Sequence, residues 1–384
     1  MSKKILFTAS TMSHIENFHL PYIEEFRRQG WEAKAIALPV SKRFFSFKNL
    51  RAILYTRKLL KKENFDVISS HATLAGIVTR LAVMLTGKDR KRMKVFHTAH
   101  GYLFHDDKSL KKWAYLLPEK LCGAVTDVLM VMNHEDLAIA QKYKLCGKSN
   151  RIYYINGMGI DLSRFLPRKA TAEQKKAFGI DENDFVFVYA AEFSKRKNHQ
   201  LLLKGFARAI EKLKELESKG ELPNGLSAPA GLSAQRLKLV LAGDGILFDK
   251  TKALAAELGI EDQVVFLGYI KNMDELYPCC DVAVSTSRSE GLPFNIMEAM
   301  ACGLPVIASD IKGHRELIVH EENGLLFESE NQNQLADLMT EIYRNPTGRS
   351  RFSISALEKV RGFSISKVLP LIIDIYKENY FTPI

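Results

Sequence analysis

The chain has little cysteine: five residues in 384 (Cys122, Cys146, Cys279, Cys280 and Cys302), with no Cys-x-x-Cys pair. That is too few and too scattered for a disulfide scaffold or a cysteine-ligated structural zinc, and it fits a reducing, cytosolic setting. Long apolar runs are also missing. Arg80 breaks one candidate, and Pro118, Glu119 and Lys120 break another, well short of the roughly 20 residues that span a bilayer. The apolar run after Met1 is too short for a signal peptide and reads as a first buried strand. No Gly-x-Gly-x-x-Gly follows that strand, which disfavours a nicotinamide dehydrogenase. No repeat of 20–50 residues and no Asp-x-Asp pair or metal-ligand cluster stands out.

What is present is an ordinary globular balance, 46% hydrophobic and 26% charged, over a length that suggests two domains. Lys plus Arg exceed Asp plus Glu by 55 − 44 = 11, and the excess favours an anionic partner: nucleic acid, a phosphorylated substrate or an anionic membrane face. Short apolar strands alternate with helical patterns, the signature of parallel sheets covered by helices. One series predicts strands over 4–9, 32–37, 65–69, 94–99, 125–131 and 151–155, with a helix over 20–29. A second starts afresh with strands over 185–190, 237–242, 264–267, 282–285, 305–308 and 324–327. Two Rossmann-like domains follow, the first over 1–156 and the second over 157–363, joined near Gly157, Gly159 and Pro167. Residues 218–235, rich in Gly, Ser and Pro, read as a surface insertion, and 364–380 as a terminal helix.

The most informative segment is Ser285-Thr-Ser-Arg-Ser-Glu290-Gly-Leu-Pro-Phe-Asn-Ile-Met-Glu298. A strand ends near Ser285, a loop holds Glu290 and Gly291, and a helix from Pro293 runs to a glycine cap at Gly303. Such a unit aims main-chain N–H groups at the carboxyl edge of a sheet, where diphosphates bind. An isolated Glu pair at this spacing would be a helix-start acid plus a surface Glu; the apolar frame around it favours function.

This stretch resembles the E-x7-E motif of the family-4 retaining glycosyltransferases. Their GT-B fold has two facing Rossmann-like domains with the active site in a central cleft. The likeness covers nearly the whole chain and is densest in 190–198, 241–245 and 266–316. It is nearest to the bacterial capsule and exopolysaccharide enzymes, through His14-Ile-Glu-Asn-Phe18-His19-Leu-Pro21 and His97-Thr-Ala-His100-Gly101-Tyr102.

The resemblance implies roles. Glu290 would contact donor-sugar hydroxyls and Glu298 the ribose, with Gly291 and Leu292 in the same loop. Lys197 would neutralise the donor diphosphate, because negative charge grows on the leaving group as the glycosidic bond breaks. Arg196 would be a second cation, since Glu192 stands where many relatives carry an Arg. Lys-Arg-Lys runs otherwise are solvated turns. Gly243 and Asp244 would form the turn beside the nucleotide, and Ile270 would lie in the stretch that reads the base. His100 would reach the donor sugar. His14 and Glu16 would sit on the acceptor side with His71, unless His71 caps the following helix.

The terminal helix would complete the first, acceptor-binding domain, leaving the second for the nucleotide sugar. The expected reaction is transfer of a hexose or N-acetylhexosamine from a UDP-sugar to a lipid-linked saccharide, with no cofactor and, given the lack of an Asp-x-Asp pair or metal-ligand cluster, without a metal. Residues 42–62, with eight basic residues, no acidic ones and interleaved aromatics, read as an amphipathic segment for an anionic membrane, extended by 88–94. The expected place is the inner face of the cell membrane, held peripherally. A GT-B UDP-sugar epimerase and a nucleic-acid binder are the competing readings; the second rests on net charge alone.

Overall fold

The computed structural model describes residues 2–41, 46–107, 109–147, 149–221 and 233–381. It divides into two compact units: Met1–Gly159 with Ile365–Ile384, and Ile160–Ser364.

The first unit runs β1 (Lys4–Ala9), α1 (Met12–Phe18), α2 (Leu20–Arg28), β2 (Glu32–Ala37), α3 (Phe47–Glu63), β3 (Val67–His71), α4 (Thr73–Met84), β4 (Lys94–Ala99), α5 (Lys111–Gly123), β5 (Val128–Val131), α6 (His134–Tyr143) and β6 (Ile152–Tyr154). Its sheet has the order β2-β1-β3-β4-β5-β6, every pair parallel. Ile5, Leu6, Phe7, Ile68, Val95, Phe96 and Leu129 are buried because helices cover both faces of a parallel sheet. Two expected strands shift. β5 starts at Val128 rather than Val125 because residues 123–126 continue the last turn of α5: Val125 N–H donates to Cys122 O and Thr126 N–H to Gly123 O. β3 starts at Val67, after Asp66 has turned its carboxylate to accept the Lys4 N–H at 2.7 Å.

The second unit runs α7 (Ala172–Ala177), β7 (Phe185–Ala190), α8 (His199–Ser218), β8 (Leu237–Ala242), α9 (Phe248–Glu257), β9 (Val264–Gly268), α10 (Met273–Leu276), β10 (Val282–Ser285), α11 (Phe294–Ala301), β11 (Val306–Ser309), α12 (Lys312–Arg315), β12 (Leu325–Phe327), α13 (Gln332–Arg344) and α14 (Pro346–Val360). Its parallel sheet has the order β12-β11-β10-β7-β8-β9. On α8, Leu202, Phe206, Ala209 and Leu213 recur every three or four residues and are buried with Phe187, Tyr189 and Leu335 in one core. Most of the expected insertion, 222–232, lies outside the described residues.

The last helix, α15 (Ile365–Phe381), belongs to the first unit. Buried Tyr376 stacks on Phe96 at 4.3 Å and meets Phe26 edge-on, and its hydroxyl lies 2.5 Å from Ser69 Oγ. Aromatic burial of this kind holds a chain end that propensity alone would leave loose. No helix among the described residues is long and apolar enough to cross a membrane.

Candidate functional site

In the second unit the strand order reverses between β7 and β10, and ligands of open α/β sheets bind beyond the carboxyl ends at such a point. Two loops meet there. One follows β7 and carries Arg196 and Lys197; the other follows β10 and carries Glu290. Glu290 Oε1 lies 2.6 Å from Lys197 Nζ, and Glu290 Oε2 lies 2.8 Å from an Arg196 guanidinium nitrogen. The side chains of Glu290 and Lys197 are only 10% and 11% exposed, whereas that of Arg196 is 43% exposed. Burial opposes the Glu290 charge, but Lys197 and Arg196 outweigh it and hold the carboxyl at about 2. The carboxylate is therefore ionised at any working pH.

Main-chain bonds tie the loops together. The Arg288 N–H donates to Arg196 O, Arg196 Nη1 to Ser289 O, and Thr286 Oγ1 to the carbonyls of Lys197 and Asn198. Tyr189, buried at the end of β7, donates its hydroxyl to Lys197 O and lies 2.9 Å from Ser287 Oγ. Behind them His314 reaches Ser285 Oγ at 3.1 Å and Ser309 O at 2.6 Å. Tyr189, Ser287 and His314 are supports that the sequence reading missed; Ser287 shares the Glu290 loop, whereas only the parallel pairing brings Tyr189 and His314 to it.

Glu298 stands in α11 with different partners. Burial pushes its carboxyl up to about 7, against Arg164 and a Tyr277 hydroxyl 3.4 Å away. No side chain caps the first turn of α11. Gly243 and Asp244 form a tight turn after β8. Gly243 has φ +145°, its N–H donates to Gly268 O at 2.7 Å, and a β-carbon there would lie 2.1 Å from Ala191 O. Only glycine fits so close an approach. Exposed Asp244 turns its Oδ1 back to the Gly245 N–H, and Ile270, half-buried, follows the end of β9. Gly291 and Leu292 are buried, and Glu192, where an Arg was the family expectation, is exposed.

In the first unit, the equivalent reversal lies between β1 and β3. His14 stands in α1 after β1, His71 closes β3, and His100 follows β4, so the sheet edge gathers them. A fourth imidazole, His19, joins them as the residue between α1 and α2. Its ring lies 3.9 Å from that of His71 and 5.0 Å from that of His14. His71 Nδ1 is 3.3 Å from His100 Nε2, and His71 Nε2 is 2.8 Å from Ser69 Oγ. Burial lowers all four, His14 to about 4 and His19, His71 and His100 well below the ordinary histidine range, so the cluster is neutral at pH 7. His71 does not cap the next helix: the cap position of α4 is Ala72, and no side chain bonds there. Glu16 is exposed on α1.

The fold also brings together a histidine group that the sequence did not single out as a metal-ligand cluster. His14, His19 and His100 each offer a ligand atom, all within 4.8 Å of one another, a grouping that could hold a metal ion. His14 and His19 lie five residues apart at α1, the one local clue, but His100 comes from the far side of β4, so no sequence spacing signals the full group. His97 is a core residue, its Nδ1 3.1 Å from Ser70 O.

The basic segment is largely helical. Residues 42–45 lie outside the described residues; α3 carries exposed Lys48, Arg51, Lys58, Lys61 and Lys62. Exposed Phe47 and Leu50 of α3, with Trp113, Leu117 and Leu121 of α5, line an apolar groove of about 830 Å³. The second cluster is partly structural: Arg90 pairs with Asp127 at 2.8 Å and Arg92 with Asp89 at 2.7 Å.

Comparison with known proteins follows the same division. Residues 170–359 match the family model "Glycosyl transferases group 1", and residues 18–144 match "Glycosyl transferase 4-like domain". A Bacillus subtilis (strain 168) relative, named as a glycosyltransferase, EpsD, is 30% identical over 393 residues, covering 98% of this chain and 97% of that protein. A relative from Escherichia coli is named UDP-Gal:alpha-D-GlcNAc-diphosphoundecaprenol alpha-1,3-galactosyltransferase. It is 27% identical over 332 residues, 86% of this chain and 79% of its own. Among solved structures, Anabaena HepE with UDP and glucose has a TM-score of 0.72 at 18% identity, covering 98% of this chain and 100% of that one. The sucrose-phosphate synthase of Thermosynechococcus elongatus has a TM-score of 0.74, also at 18% identity, covering 98% of each chain. These two carry the fold alone. Twin parallel sheets, the two matched family models and the full-length relative together make the chain a member of the family-4 glycosyltransferases of GT-B fold.

Proposed function

We propose that the enzyme moves a hexose or N-acetylhexosamine from a UDP-sugar to a hydroxyl of a lipid-linked saccharide in capsule or exopolysaccharide synthesis, retaining the anomeric configuration. The observation that carries this is the Lys197–Glu290–Arg196 group at the reversal point of the second sheet. The second unit takes the nucleotide sugar and the first the acceptor. Lys197 and Arg196 meet the charge that builds on the diphosphate, in place of a divalent cation. Glu290, ionised and fixed by both cations, accepts hydrogen bonds from donor-sugar hydroxyls; His100 contacts the same sugar. Glu298 accepts from the ribose, with Gly243, Asp244, Ile270, Gly291 and Leu292 around the nucleotide. His14, Glu16 and His71 serve the acceptor side.

In the proposed step the acceptor oxygen bonds to the anomeric carbon on the face that the diphosphate leaves, and the bond from that carbon to the phosphate oxygen breaks. The departing phosphate oxygen takes the acceptor's proton, so no side chain need act as nucleophile. The enzyme supplies positioning and charge stabilisation. The acceptor class is supported by the Escherichia coli relative, whose name specifies a sugar on diphosphoundecaprenol. Peripheral docking on the inner face of an anionic membrane is supported by the basic, apolar face of α3 beside the groove. The relatives named above are transferases, so the epimerase reading gains no support, and nothing favours nucleic acid.

A thermal-shift panel of UDP, GDP and their sugars tests the donor assignment, because a ligand that binds the folded state raises the melting temperature. UDP and a UDP-sugar should stabilise the protein more than the GDP series. Stabilisation by none of them overturns the reading.

A further inference from the structure

We infer that the first unit holds a zinc-class divalent transition-metal ion, ligated by one ring nitrogen each of His14, His19 and His100. The inference goes beyond the proposed transfer and does not rest on it. Three neutral imidazoles with no carboxylate among them form a nitrogen donor set suited to zinc and its neighbours rather than to magnesium or calcium. Their candidate ligand atoms all lie within 4.8 Å of one another. A tetrahedral ion with bonds of about 2.0–2.1 Å needs its nitrogens roughly 3.4 Å apart. His14, the half-buried member on the first turn of α1, is placed to make that adjustment.

A second observation points the same way. His19 is fully buried, yet neither of its ring nitrogens has a hydrogen-bond partner, and His14 Nε2 is likewise buried and unpartnered. A polar atom left so costs about 1–3 kcal/mol, and native interiors rarely tolerate it. Simple packing would be better served by Phe or Leu at position 19, beside Phe7, whose ring stacks 6.2 Å from His19. A metal bond satisfies such a nitrogen. His71 supports the group from behind: its ring packs tilted against His19 at 3.9 Å, its Nδ1 lies 3.3 Å from His100 Nε2, and its Nε2 leads through Ser69 to Tyr376. Partners beyond the ligands orient the rings in this way in known metal sites. Three protein ligands leave a fourth position for water or an oxygen of a bound molecule.

The test uses the full chain, purified without a polyhistidine tag, stripped with a chelator and titrated with Zn²⁺ and, separately, Co²⁺. One tightly bound ion per chain is expected, with the visible absorption of tetrahedral cobalt. His19→Ala and His14→Ala should each weaken binding at least tenfold, as losing even an outer partner commonly does. His105→Ala, at an exposed histidine paired with Glu135, should leave it unchanged. Circular dichroism checks folding; if His19→Ala unfolds, His14→Ala decides. Absence of stoichiometric binding, or binding that survives in the folded His14 variant, overturns the proposal. UDP binding measured on the same samples reports the donor site separately, so the two readings fail independently.

Discussion

Lys197 Nζ sits 2.6 Å from Glu290 Oε1, although the two residues belong to loops nearly a hundred positions apart in the chain. Each is almost fully buried; without Lys197 the carboxylate would keep only the more exposed Arg196 as its counter-charge. The cation proposed for the diphosphate is thus held ready by the carboxylate proposed for the sugar.

Lys197→Ala should therefore damage both function and stability. Loss of a preorganised charge on a developing anion costs about 10²–10³ in kcat. Leaving Glu290 with exposed Arg196 alone should destabilise the fold by about 1–3 kcal/mol. Transfer assays with a UDP-sugar and urea denaturation measure the two effects. Near-normal kcat in a folded variant removes Lys197 from the diphosphate.

The two motif carboxylates should give opposite pH signatures. The folded-state value of Glu290 is depressed to about 2, so its stabilisation is complete above its unfolded value of 4.5 and fades as pH falls toward 2. Glu298 is raised from 4.5 to about 7, so folded protein binds the extra proton and stability declines as pH rises through that window. Glu298→Gln should abolish the decline. Denaturation of wild type and variant between those limits reads it, and parallel curves would reject the assignment.

A ribose hydroxyl donates best to an ionised carboxylate. UDP affinity should accordingly strengthen as pH rises through about 7 in the wild type and stay flat in Glu298→Gln. Calorimetric titration at several pH values measures this. Identical profiles, or unchanged affinity in Glu298→Ala, would detach Glu298 from the ribose.

Gly313 in α12 touches the Glu290 loop so closely that a β-carbon would lie 2.6 Å from the Glu290 carbonyl oxygen. Gly313→Ala must shift that backbone, since the clash is with main chain rather than a flexible tip. The expected outcome is a loss of about 1–3 kcal/mol and a lower kcat than is produced by Ala at Gly362, where a β-carbon would meet no atom within 4 Å. Equal behaviour of the two variants would show the loop tolerant of displacement.

Vesicle sedimentation checks α3. Replacing exposed Lys48, Arg51 and Lys58 by Gln should weaken binding to anionic liposomes by about 100-fold, at roughly 1 kcal/mol per charge. Wild type that fails to pellet with such vesicles sinks membrane docking altogether.

The alternation of short apolar strands with helical stretches was legible along the chain, because burial on both faces of a parallel sheet demands continuous apolar runs such as 4–9 and 185–190. The loop carrying Glu290, the Gly243 turn and the cationic run at 195–197 were legible too, since each is a local conformation with its own residue requirement. The pairing of Glu290 with Lys197 was not, nor the support from Tyr189 and His314, nor the gathering of His14, His19, His71 and His100. Those depend on which strands lie side by side, and β7 meets β10 across an intervening stretch of about 90 residues. Local sequence determines what each segment can do; the energy that brings distant loop ends together comes from burying whole sheets, and only the folded topology decides which charges and imidazoles meet.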